Sequence, residues 1–426
     1  MKIAIIGAGY VGLPLALAFS KFHTVTCYDI DKKRIDELQS GHDSNQQHSK
    51  KNIIRKEISF INDKDKLKKK DVYIVTVPTP IDENKKPNLN ILRSASVLIG
   101  KVISKKSIIV FESTTFPGCT EEFCIPLIEK SSKLKFDKDF HVGYSPERVN
   151  PGDKINTLKN ITKIVGANDK NTLLKIKKLY KSICKSIYTT NNIKIAESAK
   201  VIENIQRDVN IALVNELGLL FDKLDIPTNE VLKAAATKWN FHYYKPGLVG
   251  GHCISVDPYY LSYKAEQKKY IPKLILSGRK INESMGKYVA NKTKNLMLKN
   301  KIKLSNSNIA LLGFSFKDNI PDIRNTKIIQ IYDELKKQNI KIKIFDSIVS
   351  KNEVKKCHNL SIYNFKDLKK FKYDAIILAV SHNQFLRKLT YYNKFYKNNK
   401  KKIFIDVKNN YSSYNFIRNN YKYFQL

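Results

Sequence analysis

The run Gly7-Ala8-Gly9-Tyr10-Val11-Gly12 constrains the fold of this chain more than any other stretch. It follows the apolar segment Ile3 to Ile6 and leads into the apolar segment Val11 to Phe19, the strand–turn–helix setting in which a G-x-G-x-x-G run binds a dinucleotide. Gly7 permits the tight turn, Gly9 lets the backbone approach a pyrophosphate, and Gly12 allows the helix to pack closely. Asp29 ends the next β-rich run, where a carboxylate holds the adenosine ribose hydroxyls and repels a 2′-phosphate. The pair predicts NAD rather than NADP, with Tyr10 and Val11 lining the turn and Arg34 near enough in sequence to approach a phosphate.

From this turn the β-rich runs continue at Thr24 to Tyr28, Val72 to Val77, Ile108 to Glu112 and Phe140 to Gly143, separated by helical or polar stretches. That alternation predicts an α/β fold, a doubly wound parallel sheet over residues 1–193. An uninterrupted helical pattern then runs from Lys194 to Leu224 and stops at Pro227. At about 1.5 Å per residue it spans roughly 45 Å, enough to connect domains or to pair with a second copy of itself. Residues 194–303 read as a central helical domain built on that helix. Buried-strand runs resume at Ile309 to Leu312, Ile342 to Phe345, Ala375 to Val380 and Ile403 to Val407, so residues 304–426 read as a second Rossmann-like α/β domain.

Composition narrows the function classes. The 426 residues carry 77 Lys+Arg against 39 Asp+Glu, a net charge of +38 that raises nucleic acid as a partner. Only nine of those cations are arginines, however, and the lysines appear in nearly every segment, a bias spread over solvated faces rather than a recognition surface. The six cysteines form no C-x-x-C pair and no disulfide framework, which favours a reducing compartment. No signal peptide and no apolar stretch near the ~20 residues of a membrane span is seen, so the cytoplasm is the expected address.

Three strands end in polar turns beside the fingerprint: Thr76-Val77-Pro78-Thr79-Pro80, Glu112-Ser113-Thr114-Thr115-Phe116-Pro117-Gly118 and Tyr144-Ser145-Pro146-Glu147-Arg148. The carboxyl edge of an open α/β sheet is where ligands bind. On the long helix Lys200, Asn204 and Asp208 recur at i, i+4 and i+8 and share one face. After it, Lys245 to Pro258 presents Cys253 and Asp257 among Gly247, Gly250 and Gly251, and a cysteine so placed is a candidate nucleophile.

The segments GAGYVG, TVPTP, ESTTFPGCTEE, GYSPERVNPGD, AKVIENIQRDVNIALVNE, KPGLVGGHCISVDPYYL and GFSFKDNIPDIRNT, in this order over nearly the whole chain, resemble the UDP-glucose/GDP-mannose dehydrogenase family. Within it, ESTTFPG, TKWNF and PGLVGGHC with VDPYYL are most similar to the bacterial UDP-N-acetylhexosamine 6-dehydrogenases, which oxidise UDP-GlcNAc or UDP-GalNAc for surface polysaccharides. The resemblance implies an N-terminal NAD-binding domain, a central dimerising domain on the long helix, and a C-terminal domain holding UDP. It implies oxidation of the sugar C6 alcohol to a carboxylate with two NAD reduced per turnover.

Carried over by position, Cys253 is the nucleophile, Lys200, Asn204 and Asp257 surround the reacting centre, and Thr114 and Glu147 position water and assist proton transfer. Cofactor contacts fall on Gly7, Gly9, Tyr10, Val11, Gly12, Asp29, Arg34, Thr76, Pro78, Thr79 and Thr114. Substrate contacts fall on Glu147, Arg148, Lys200, Asn204, Tyr244, Gly247, Gly250, Lys317 and Arg324, and no metal is implied. Whether Arg324 serves its own subunit or a partner is left open. His382 reads either as a polar lining residue or as a satisfied core histidine. Ser255 and Lys245 depart from the family pattern, where glycine or proline and arginine are common, and Lys245 gives up bidentate phosphate contact if it touches UDP. UDP-glucose or UDP-ManNAc is the alternative substrate, and a basic nucleic-acid-binding scaffold the alternative class.

Overall fold

Ile3 to Ile6 is buried throughout and pairs with a parallel strand along each edge, which makes it a central strand. The computed structural model describes residues 1–426 except 46, 150–154, 399 and 412–420, so part of the GYSPERVNPGD segment, Asn150 to Asp153, lies outside the described residues. The chain packs as two compact units, residues 1–204 with 259–271, and residues 205–258 with 272–426. The segment expected as a central domain is shared between them.

The first unit holds an eight-stranded sheet: β1 (Lys2–Ile6), β2 (Thr24–Tyr28), β3 (Ile58–Ile61), β4 (Val72–Val75), β5 (Ile108–Phe111), β6 (His141–Tyr144), β7 (Thr162–Ala167) and β8 (Ser186–Thr190). Its order is β3-β2-β1-β4-β5-β6-β7-β8. The first six strands are parallel in the doubly wound order, with the reversal between β1 and β4 that creates a ligand crevice. β7 runs antiparallel to β6, a departure from the expected all-parallel sheet. Burial of Ile3, Ile5, Val25, Cys27, Ile74 and Val110 against Leu13, Ala16 and Tyr180 builds the core. Cys27 is part of it, its thiol pushed up to about 12 by burial and by Asp29, so it behaves as a small hydrophobe.

Strands β3, β7 and β8 are absent from the sequence expectation. β7 hides because its second residue is a lysine, Lys163, that is fully buried. β8 hides because it is a half-exposed edge strand of polar and β-branched residues.

The long helix spans Ile193–Lys223. The Asn192 side chain accepts from Lys194 N at its start, and Asp225 in the left-handed region followed by Pro227 ends it. The unit boundary falls within this helix, after Asn204.

The second unit contains β9 (Asn308–Leu312), β10 (Lys341–Phe345), β11 (Ile362–Tyr363), β12 (Ala375–Leu378), β13 (Ile403–Asp406) and β14 (Lys422–Gln425). All are parallel, in the order β11-β10-β9-β12-β13-β14, which repeats the first six positions of the other sheet. Ile309, Leu311 and Ile377 pack on one face against Met285 and Val289 of the helix Lys273–Lys299, while Ala310, Leu312 and Ile376 face Tyr373, Phe385, Tyr392 and Phe404. Burial on both faces is what makes these strands read as continuous apolar runs. Among the described residues no helix is long and apolar enough to cross a membrane.

Candidate active site

At the carboxyl end of β1, Gly7 has φ +104° and donates its N–H to the Tyr28 carbonyl at 2.8 Å. A side chain at Gly12 would put Cβ 1.8 Å from the Gly7 carbonyl oxygen and 2.5 Å from Thr76 Oγ1, so only glycine lets the helix Gly12–Phe19 sit this close. Thr76 fastens the same turn by donating to the Ile6 and Gly7 carbonyls at 3.0 and 2.9 Å. Nothing lies within 4 Å of where a Cβ on Gly9 would stand, leaving the backbone open to a pyrophosphate. Asp29 accepts from Ala8 N at 2.7 Å and Asp31 N at 2.9 Å, which fixes its carboxylate at the end of β2. These residues fit a dinucleotide.

Arg34 is placed differently from the phosphate contact its position suggests. It is buried, donating from Nε to the Ala8 carbonyl at 3.1 Å and from its two terminal nitrogens to Ser44 and Asp43 at 3.0 and 2.8 Å. It braces the fingerprint turn from behind. Tyr10 and Val11 are half-buried at the mouth of the turn and Pro78 is exposed.

Further along the same sheet edge, Thr79 Oγ1 donates to the Thr114 carbonyl at 2.7 Å, tying the turn after β4 to the turn after β5. Thr114 is partly exposed between buried Ser113 and Thr115. Glu147 follows β6, and its carboxylate takes the Val149 N–H and lies 3.4 Å from Lys163 Nζ. Lys163 also sits 2.6 Å from Glu112 Oε2, with Tyr180 donating to the other Glu112 oxygen. Burial works against the Lys163 charge, but Glu112 and Glu147 outweigh it and hold the ammonium above its ordinary value. Burial also pushes the Glu112 carboxyl up. Sequence reasoning missed Lys163, because a lysine interrupts the apolar run that would mark its strand, and took Glu112 only as the start of a polar turn.

Arg148 donates to the Thr162 carbonyl at 2.6 Å and pairs with Glu203 on the long helix at 2.9 Å, so within this unit it is a brace. Lys200 and Asn204 on that helix are 7% and 5% exposed, too buried for a merely solvated stripe. Asp208, the third member of the spacing, is spent on structure. It lies in the second unit, 2.7 Å from Arg279 and 2.8 Å from Asn282 Nδ2, and burial raises its pKa against those two partners.

In the second unit the cysteine loop is pinned at both ends. Asn215 of the long helix accepts from Gly247 N at 2.8 Å and donates to the Gly247 carbonyl at 3.1 Å. Gly251, at φ +85°, donates to the Arg324 carbonyl, and Asn325 Nδ2 donates to the Gly251 carbonyl at 3.0 Å. A Cβ on Gly250 would stand 2.9 Å from the Asn325 carbonyl, and one on Gly251 2.8 Å from the Phe316 ring, so these glycines allow the loop to lie flat on the turn after β9. Cys253 is half-buried, whereas Cys27, Cys119, Cys124 and Cys184 are buried and Cys357 is exposed. Its carbonyl accepts from Asp257 N at 2.8 Å, which starts the helix Asp257–Gln267 with Asp257 buried at 1% exposure. Ser255 donates to the Gly251 carbonyl, so the residue that departs from the family pattern closes the loop on itself. Tyr244 is half-buried and Lys245 exposed before it.

The turn after β9 carries Lys317, half-buried, and Arg324, which forks onto Asp322 through Nε at 3.0 and 3.1 Å and through a terminal nitrogen at 2.5 Å. His382 is fully buried; it meets Asp346 at 3.1 Å and accepts from Asn319 N at 2.8 Å, the satisfied core histidine of the two readings.

A glycine turn shaped for a dinucleotide, a carboxylate at the end of the next strand, a second sheet of the same strand order and a cysteine framed by glycines are the features of an NAD-dependent dehydrogenase. Residues 1–184, 194–284 and 310–413 match, in turn, the NAD binding, central and UDP binding domains of the UDP-glucose/GDP-mannose dehydrogenase family. The chain belongs to that family. It is 48% identical over 387 residues to the UDP-N-acetyl-D-glucosamine 6-dehydrogenase of Salmonella typhi, covering 90% of this chain and 91% of that one. It is 47% identical over 386 residues to the Protein CapL of Staphylococcus aureus, with the same shares. Among solved structures, the UDP-D-ManNAc dehydrogenase of Pyrococcus horikoshii superposes with a TM-score of 0.88 at 29% identity, covering 100% of this chain and 99% of that one.

Proposed function

We propose that this dehydrogenase oxidises the C6 alcohol of a UDP-N-acetylhexosamine, UDP-GlcNAc or UDP-GalNAc, to the uronate through a covalent intermediate on Cys253. The observation that carries the reading is the Cys253 loop, a half-buried cysteine on a segment that Asn215 pins at Gly247 and Asn325 pins at Gly251, against the turn after β9 that bears Lys317 and Arg324. The likeness to the Salmonella typhi enzyme favours the N-acetylglucosamine sugar over glucose or N-acetylmannosamine.

NAD, when bound at the Gly7–Gly12 turn, supplies the hydride acceptor for both oxidations. A water held by Lys200 and Asp257 takes the C6 hydroxyl proton in the first. The Cys253 thiolate then adds to the C6 aldehyde, so that no free aldehyde leaves, and oxidation of the resulting thiohemiacetal leaves a thioester. Water placed by Thr114 and Glu147 hydrolyses it and releases the thiolate. Lys200 and Asn204 donate hydrogen bonds to the oxyanion at each addition. Glu147, Arg148, Tyr244, Gly247, Gly250, Lys317 and Arg324 make up the substrate side.

The same reading divides the chain into residues 1–193 for NAD, 194–303 for dimerisation and catalysis, and 304–426 for UDP. It makes the protein a cytoplasmic homodimer that supplies uronates for surface polysaccharide, without a nucleic-acid partner. Ile195, Ile202, Leu213 and Leu220 lie on the long helix 56%, 54%, 55% and 48% exposed, an apolar stripe suited to a second copy. The test is NADH absorbance with UDP-GlcNAc, UDP-GalNAc, UDP-ManNAc and UDP-glucose. Two NADH per UDP-N-acetylhexosamine and no sustained NADH from Cys253→Ser are expected; near-normal turnover by that variant refutes the mechanism.

A further inference from the structure

Glu197 on the long helix is fully buried and appears in none of the chemistry above. Its carboxylate gathers four donors, all from the turn that follows β5. Gly118 N lies 2.5 Å from Oε2, while Thr120 N at 2.9 Å, Thr120 Oγ1 at 2.7 Å and Thr115 Oγ1 at 3.2 Å meet Oε1. All four donors are neutral, and burial raises the carboxyl pKa to about 7 against their pull. A carboxylate desolvated this far with only neutral donors is an expensive way to hold a turn. The placement gives the expense a use. Gly118 is at φ +91°, so the turn doubles back on itself at the point where Glu197 grips it. Thr79 holds the other end of the same turn through the Thr114 carbonyl at 2.7 Å.

On the helix, Glu197, Lys200 and Asn204 stand at i, i+3 and i+7 and therefore share one face. A helix can roll about its axis under apolar contacts alone, but not while one carboxylate on that face is bonded to three residues of a turn. We propose that Glu197 is a positioning residue that fixes the roll of the long helix against the Ser113–Thr120 turn, setting Lys200 and Asn204 relative to Thr114. The proposal rests on the reaction assigned above, for which those three residues are the donors and the water holder.

Two variants and two readouts test it. Glu197→Gln keeps an oxygen for the three donors on Oε1 but sets its NH₂ against the Gly118 N–H, while Glu197→Ala removes all four contacts. Since misplacement of reacting groups by about 1 Å costs on the order of 100-fold, kcat is expected to fall about 100-fold in Glu197→Ala and about tenfold in Glu197→Gln. KM for NAD and for the UDP-sugar should stay within about threefold, because positioning acts on the transition state rather than on uniform binding. Hydrogen exchange of the Gly118 and Thr120 amides, followed on the whole protein without substrate, should be slow in the parent and fast in Glu197→Ala.

Unchanged exchange in Glu197→Ala overturns the clamp whatever the substrate is. Fast exchange with kcat within twofold of the parent in both variants overturns the positioning role, as does a loss carried by KM. Glu197→Gln keeps the kinetic test decisive if the alanine variant does not fold. A parent that shows the protected amides but makes no NADH from any UDP-sugar refutes the assigned reaction instead, and with it the role of Glu197 in that reaction.

Discussion

Replacing Lys163 with methionine removes the cation that lies 2.6 Å from Glu112 and 3.4 Å from Glu147 while nearly preserving side-chain volume. Lys163 and Glu112 side chains are both 0% exposed, so the variant leaves a carboxylate in the core. Taking away one partner of a buried pair costs about 3–5 kcal/mol. Protonation sets a ceiling on that cost, because holding Glu112 neutral costs about 1.4 kcal/mol for each pH unit above its ordinary value of about 4.3. The ceiling is therefore roughly 5 kcal/mol at pH 8 and roughly 2 kcal/mol at pH 6.

The sign follows from proton counts. A carboxyl whose folded pKa is raised binds more protons folded than unfolded, so stability falls as pH rises through that window and the variant's deficit is largest in alkali. At about 2–4 °C per kcal/mol for a unit of this size, Tm should drop by about 6–20 °C at pH 8 and by about half as much or less at pH 6. Thermal and urea melts of parent and variant at pH 6, 7 and 8 measure it, and Lys163→Met combined with Glu112→Gln should recover much of the pH 8 loss. A deficit equal at both pH values, or no recovery in the double variant, refutes the argument that the cost is an unpaired buried charge.

Gly12→Ala drives a Cβ to 1.8 Å from the Gly7 carbonyl, so a loss of about 1–3 kcal/mol and of NAD-induced stabilisation is expected in a thermal-shift titration with NAD. Asn215→Ala strips Gly247 of both its hydrogen bonds to that side chain, and kcat with a UDP-sugar should fall by about tenfold or more as the Cys253 loop loosens. In Asp346, burial opposes the charge, but the hydrogen bond and charge of His382 and the Ile348 and Phe314 N–H groups prevail and hold the carboxyl below its ordinary value. A depressed carboxyl contributes stability above its unfolded pKa that is lost as pH falls through the folded one, so Asp346→Asn should flatten the acid limb of a pH-melting curve.

Much of the nucleotide end was legible because glycine spacing and a strand-terminal aspartate are local signals. Gly7, Gly12 and Asp29 take the places their spacing demands. What escaped depends on pairing across distance. Lys163 reads as a solvent lysine until β7 is seen to bury it beside β6, and neither Arg34 nor Arg148 shows in the sequence that Asp43 or Glu203 is its ion-pair partner. Asp208 shows the limit of helical spacing, which places three residues on one face without saying that the last is consumed by Arg279. The missed strands β3, β8, β11 and β14 are short or polar edge pieces, whose residues are selected by one neighbour rather than by a core.

The two sheets share one backbone device. Gly313, at φ +94°, donates to the Phe345 carbonyl at 2.8 Å and Phe314 N to Asp346 at 2.8 Å, contact for contact what Gly7 and Ala8 do with Tyr28 and Asp29. The copies diverge in what surrounds them. Where the first run has Gly9 and Gly12, the second has Ser315 and Asp318, and His382 lies 3.1 Å from Asp346. The turn at the end of the central strand is thus duplicated while its chemistry is not: only the first copy keeps the two further glycines that let a backbone approach a pyrophosphate and a helix pack close, so a change that disables one turn leaves the other's hydrogen bonds in place.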